Sequence, residues 1–269
     1  MPRFKKSLCL VLFCSGLFLL CVNLYGLNQE LRPSGLTPDT LRFGELDVTI
    51  SPLELEQNIV KLDGESYMEF AIRLTHVIAG GLAHVEWEAY DPDRFHQRVP
   101  VWENFILYFM GVITTIPEFE RYHFTDPYRS LERGIGICGD ASMTLSSLLL
   151  EEGIKNHIVT IPGHVVVQAY LDGDTVILDA DYGVVLERNL DFYRTNPRAL
   201  EREYQSQLGR YNDGELMIAR ELASNGYTLW NGASHFVTNK YYFERLSYLL
   251  KWILPLLMVC ISFYWFKRN

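Results

Sequence analysis

Between its apolar ends this chain has one cysteine, few basic residues and no Asn-x-Ser/Thr sequon. Of five cysteines, Cys9, Cys14, Cys21 and Cys260 lie in the ends, which leaves Cys138 alone in the middle. A single thiol excludes an intradomain disulfide and a multi-cysteine zinc site. Six of the 24 basic residues (Arg3, Lys5, Lys6, Lys251, Lys267 and Arg268) also lie in the ends, where there is no acid. The middle keeps 18 basic against 33 acidic residues, a net of about −15. Nucleic-acid binding rests on phosphate neutralisation, so a middle this acidic excludes that partner. Anionic lipid would repel it as well. No repeat, low-complexity tract or interdomain linker interrupts residues 28–247. Roughly 220 residues are enough for one packed domain, and one is expected there.

The ends carry what the middle lacks. Residues 7–27 hold no charge and match the roughly 20 residues that a bilayer requires. Arg3, Lys5 and Lys6 precede them, so the positive-inside rule puts residues 1–6 in the cytoplasm. A cleaved signal peptide is disfavoured, because no small-x-small site follows the apolar run. Residues 248–266 form the second expected span, with 267–269 returning to the cytoplasm. Lys251 is expected to snorkel to the near interface, Pro255 to kink the helix, and Trp252, Tyr264 and Trp265 to form an aromatic belt. Two spans with an inside N-terminus place the middle outside: the periplasm and inner membrane, in a bacterium.

The middle opens with helical patterns over 46–88, starting at Ser51-Pro52 and broken at Gly80-Gly81. An apolar helix is expected over 101–115 and a turn at Asp126-Pro127. A helix then runs from Ala141 to Glu152, closed by Gly153. Short β-rich runs follow at 158–161, 165–171 and 175–179. Helices return over 190–208 and, past Asn212-Asp213-Gly214, to Ser224. Helices on both sides of a strand cluster predict an α+β fold.

Asp172-Gly173 is a two-residue hairpin signal that pairs Leu171 with Asp174. Alternation then puts Val165, Val167, Ala169, Leu171, Val176, Leu178 and Ala180 on one apolar face. The other face carries His164, Val166, Gln168 and Tyr170 with Thr175, Ile177, Asp179 and Asp181. Strand spacing permits either aspartate to serve the histidine. Upstream, Gly134, Gly136 and Gly139 surround Cys138 where a helix begins. A helix N-terminus stabilises a thiolate and offers N–H groups to an oxyanion. Cysteine, histidine and aspartate in this order suggest a nucleophile, its base and the base's orienter. The loop has no lysine and lacks P-loop spacing, so phosphate cradling is not expected. No cofactor is expected. A metal site is also not expected, since His164, Asp179 and Cys138 offer one soft ligand among scattered histidines.

These residues resemble the transglutaminase-like superfamily of papain-type fold. The resemblance lies in Gly136-Ile137-Cys138-Gly139-Asp140, Gly153-Ile154, His164, Asp172-Gly173 and Leu178-Asp179, and covers roughly 128–185. It implies Cys138 as nucleophile, His164 as base and Asp179, not Asp181, as orienter. It also implies an upstream oxyanion donor, for which Trp102, Asn104 and Tyr108 are the candidates; Asp181, on the same hairpin face, is kept as a candidate supporting residue. Val166 stands where many members have an aromatic, and Ala180-Asp181 where many have Pro-Thr. The implied activity is amide or peptide hydrolysis through an acyl-enzyme, on a peptide or cell-envelope substrate at the membrane. Acyl transfer and a non-catalytic binding or assembly module are the alternatives.

Overall fold

The computed structural model describes residues 2–209 and 213–268, so Asn212 of the expected turn lies outside the described residues. In chain order the helices before the sheet are α1 (Pro2–Gly26), α2 (Pro52–Asn58), α3 (Tyr67–Gly81), α4 (Phe105–Ile113), α5 (Pro117–Glu120), α6 (Pro127–Arg133) and α7 (Cys138–Glu151). The strands β1 (Asn156–Ile161), β2 (His164–Leu171), β3 (Asp174–Asp179) and β4 (Val184–Leu186) follow. Then come α8 (Leu190–Thr195), α9 (Pro197–Leu208), α10 (Asp213–Asn225), β5 (Thr228–Trp230), α11 (Ala233–Phe236) and α12 (Thr238–Arg268).

The chain forms two compact units, and the stretch 28–247 expected as one domain is divided between them. One unit joins residues 1–33, 90–122 and 242–269; the other holds 34–89 and 123–241. Segment 90–122 belongs with the ends because its polar groups bond there. Asn104 Nδ2 donates to Ser247 Oγ at 3.0 Å, and the Tyr248 hydroxyl donates to Glu103 at 2.6 Å.

Helix α1, and α12 from residue 242 onward, belong to the first unit; the two helices contain the stretches 6–26 and 238–267, each long and apolar enough to cross a membrane. Helix α12 continues through Pro255. Proline has no N–H and strips the carbonyl four residues earlier of its helical partner. That carbonyl is Lys251 O, and Asn23 Nδ2 from α1 donates to it at 2.5 Å. One turn away, a Cβ on Gly16 would stand 2.8 Å from Pro255 O. The glycine lets α1 lie against α12 at the proline. Lys251 does not snorkel. It is buried and donates from Nζ to the Glu103 carbonyl at 2.5 Å, with its ammonium 5.1 Å from the Tyr248 ring centre.

The second unit is α+β. Its five-stranded sheet is antiparallel throughout, in the order β4-β3-β2-β1-β5. Asp172 and Gly173 both take positive φ (53° and 91°), as a tight primed turn requires. The β2–β3 register follows from that turn: Leu171 pairs with Asp174 and Val167 with Leu178. Val167, Ala169, Leu171, Val176, Leu178 and Ala180 pack under α3 and α7. Val165 is only partly buried and packs beside Trp230 and Phe236. The opposite face is also covered: Val166 and Ile177 join Tyr193, Leu200, Tyr204 and Leu222 from α8, α9 and α10.

Local chemistry explains the boundaries. The expected helical stretch 46–88 holds two helices, each begun by a capping box, Ser51/Glu54 and Ser66/Glu69. Asp126-Pro127 is not a turn. Asp126 accepts from Tyr128 and Arg129 N–H as an N-cap, with Pro127 at the first helical position. Gly153, at φ 77°, closes α7, with Ile154 N–H bonded to Leu149 O. Strands β4 and β5 are too short to leave a periodic signal.

Candidate active site

Cys138 is the first residue of α7 and is half-buried. The loop before it is braced by a two-residue bridge: Ala83 N–H donates to Gly134 O at 2.9 Å, and Gly136 N–H to Ala83 O at 3.1 Å. Asp140, at the third helical position, reaches back to accept from Ile137 N–H at 3.0 Å. Ile137 has no acceptor to return, so this is half of a capping box. Asp140 also meets His123 Nδ1 at 2.7 Å. Burial raises its pKa, but His123, Arg133 and the Ile137 amide bring it below the ordinary value. The His123 ring stacks on Trp87 at 4.6 Å, and the Arg133 guanidinium lies over Phe124 at 4.7 Å.

His164 opens β2 and is buried. Ser142, one turn into α7, donates to Val165 O at 2.8 Å and fixes the helix start beside the base. His164 Nε2 lies 2.7 Å from Asp179 Oδ2, leaving Nδ1 as the nitrogen available to the thiol. Cys138 Sγ, a ring nitrogen of His164 and a carboxylate oxygen of Asp181 lie within 4.8 Å of one another. Burial lowers the His164 pKa, but the Asp179 charge and hydrogen bond and the Cys138 thiol outweigh it. The group lies well above its ordinary value.

Asp179 ends β3 fully buried, with both oxygens engaged. Oδ2 faces His164 and accepts the Tyr204 hydroxyl at 2.6 Å; Oδ1 accepts from Asp181 and Tyr182 N–H at 3.0 and 3.2 Å. The turn after β3 thus bends back onto the carboxylate. Burial and the Asp179 charge hold the Tyr204 pKa well above its ordinary value, so the phenol remains a donor.

Asp181 has a different partner. Its Oδ1 lies 2.7 Å from His84 Nε2, and His84 Nδ1 lies 2.7 Å from Asp47 Oδ1. Burial opposes charging His84, but its two carboxylate partners push it up to about 10. Burial raises the Asp181 pKa, yet His84 and then His164 bring it below the ordinary value. A cleft of about 610 Å³ beside this relay is lined by Phe43, His84, Asp181 and Tyr182, among others.

The structure therefore brings together Cys138, His164, Asp179 and Asp181. Trp102, Asn104 and Tyr108 lie in the other unit. Asn104 Oδ1 caps α4 through Ile106 and Leu107 N–H, while its Nδ2 serves Ser247. Trp102 meets the His96 ring at 5.8 Å and Tyr108 meets Phe109 at 5.6 Å. Sequence reasoning missed His84, Asp47 and Tyr204. His84 follows Ala83, which braces the cysteine loop, but no motif marks it. Tyr204 reads as part of an apolar stripe with Leu200. Comparison with protein-family profiles, curated proteins and solved structures finds no match to the chain.

Proposed function

We propose that this chain is a membrane-anchored cysteine hydrolase of transglutaminase-like type that cleaves an amide or peptide bond. One observation carries the reading. The thiol at a helix start has beside it a buried imidazole whose far nitrogen is held by a buried, fully hydrogen-bonded carboxylate. The raised His164 pKa favours the imidazolium form of the base. In this reading the thiolate attacks the carbonyl carbon, and the oxygen takes up the electron pair against N–H groups at the start of α7. His164 passes its proton to the departing amine, leaving an acyl-enzyme. Water, losing a proton to His164, then releases the acid and restores the thiol pair. Helices α1 and α12 anchor the chain, with the catalytic unit on the outer side and a peptide or envelope substrate at the membrane.

Iodoacetamide labelling of the detergent-solubilised chain tests this reading. Cys138 is expected to react at neutral pH at least tenfold faster than free cysteine, and His164→Ala to remove that advantage. Slow labelling that is indifferent to His164 overturns the reading.

A further inference from the structure

Asp181 takes no proton and forms no bond in the acyl transfer above, yet its carboxylate is buried and held on one oxygen by a relay. His84 fixes Oδ1, Asp47 fixes His84, and a carboxylate oxygen lies within 4.8 Å of both Cys138 Sγ and a His164 ring nitrogen. We infer that Cys138, His164 and Asp181 form a three-ligand site for a thiophilic divalent cation of the zinc type, and that the bound cation silences the thiolate. The silencing rests on the acyl-transfer reading; the binding does not.

The donors are a thiolate, an imidazole and a carboxylate. They bind zinc at about 2.3, 2.0–2.1 and 2.0–2.2 Å, and three protein ligands leave a fourth position for water. Tetrahedral geometry at those lengths separates the donor atoms by roughly 3.3–3.6 Å. A pair at the full 4.8 Å would close by roughly 1.2–1.5 Å, a shift that side-chain rotation at the site can supply. Ligands of metal sites are oriented by outer partners, and those partners are in place. His164 Nε2 is held by Asp179, which turns Nδ1 inward, and Asp181 is held by His84. The expectation of no metal counted Asp179 as the third group. Asp179 is spent on His164, Tyr204 and two amides, and Asp181 takes its place. Hard cations such as magnesium prefer all-oxygen shells and do not suit this set.

Cobalt(II) titration of the detergent-solubilised full chain tests the inference. One Co²⁺ per chain is expected, with a thiolate-to-metal charge-transfer band in the near ultraviolet. Zn²⁺ should displace it and slow iodoacetamide labelling at least tenfold, reversibly with chelator, while Mg²⁺ does neither. Cys138→Ser should abolish the band, and Asp181→Asn should weaken binding at least tenfold. No band in the unaltered chain, which needs no folded variant, overturns the inference, as does a band that survives Cys138→Ser. Fast labelling without a band leaves the hydrolase standing and removes the cation site. A band with slow labelling indifferent to His164 supports the cation site and removes the hydrolase.

Discussion

The Tyr204 hydroxyl donates to Asp179 Oδ2 across 2.6 Å, onto the oxygen that also faces His164 Nε2. Helix α9 thereby supports the base from behind. Tyr204→Phe removes one hydrogen bond to a charged group, worth about 1.5–3 kcal/mol of stability. Labelling of Cys138 should change only a few-fold, because the His164–Asp179 contact remains. Asp179→Asn offers His164 an amide instead of a carboxylate and should slow labelling at least tenfold. Thermal unfolding and labelling rates, measured on both variants, check the contrast. Equal loss of labelling in the two would mean that Asp179 acts only as a packing group.

His84 makes stability depend on alkaline pH. Its folded pKa of about 10 lies above its ordinary 6.5, so between these values the folded state holds a proton that the unfolded state has released. The stabilisation is complete below about pH 6.5 and is lost as pH rises through about 10. The melting midpoint of the solubilised chain should fall between about pH 7 and 10 at fixed ionic strength. His84→Ala leaves Asp47 and Asp181 buried without their cation and should cost about 3–5 kcal/mol. A midpoint independent of pH over that range would count against a charged His84.

Asn23 and Pro255 should be energetically coupled. Asn23 satisfies Lys251 O, which Pro255 deprives of its helical donor. Asn23→Leu should destabilise the paired helices by about 0.6–1.7 kcal/mol. In a Pro255→Ala background the restored N–H takes that carbonyl, and the cost of Asn23→Leu should shrink. A double-mutant cycle by denaturing-detergent titration measures the difference. Additive effects would refute the coupling.

Gly136 is required by contact, not by dihedral angle. A Cβ there would stand 2.8 Å from Asp140 Cβ, against the side chain that caps the cysteine loop. Gly136→Ala should destabilise by about 1–3 kcal/mol through overpacking and slow Cys138 labelling several-fold. Gly139, with open space at its Cβ position, is the control: Gly139→Ala should leave the labelling rate within two-fold.

Much of the second unit was legible because local chemistry decided it. The Asp172-Gly173 turn set the β2–β3 register, and the period of two sorted Val167, Ala169 and Leu171 from Val166 and Gln168. What went unread lay off that ladder. Helices α8 to α10 cover the second sheet face with an amphipathic stripe, and a stripe does not say which surface it meets. Nor did hydropathy reveal the division into two units. It depends on hydrogen bonds such as Asn104 to Ser247, made across 143 residues of chain.

The sequence by itself determined the two apolar helices, the α+β character, and a cysteine that starts a helix ahead of a histidine that starts a strand. Composition, capping residues and turn residues act over a few neighbours, so they can be read in order along the chain. The resemblance pointed to Asp179, but the physical reason that Asp179 and not Asp181 meets His164 Nε2 lies in the tertiary structure. On the hairpin ladder Asp179 and Asp181 are equivalent, two residues apart on one face. The turn after β3 folds Asp179 under two amides and Tyr204, while His84, 97 residues earlier, claims Asp181. Hydrogen bonds between distant segments made that choice, and they exist only once the chain has closed around them.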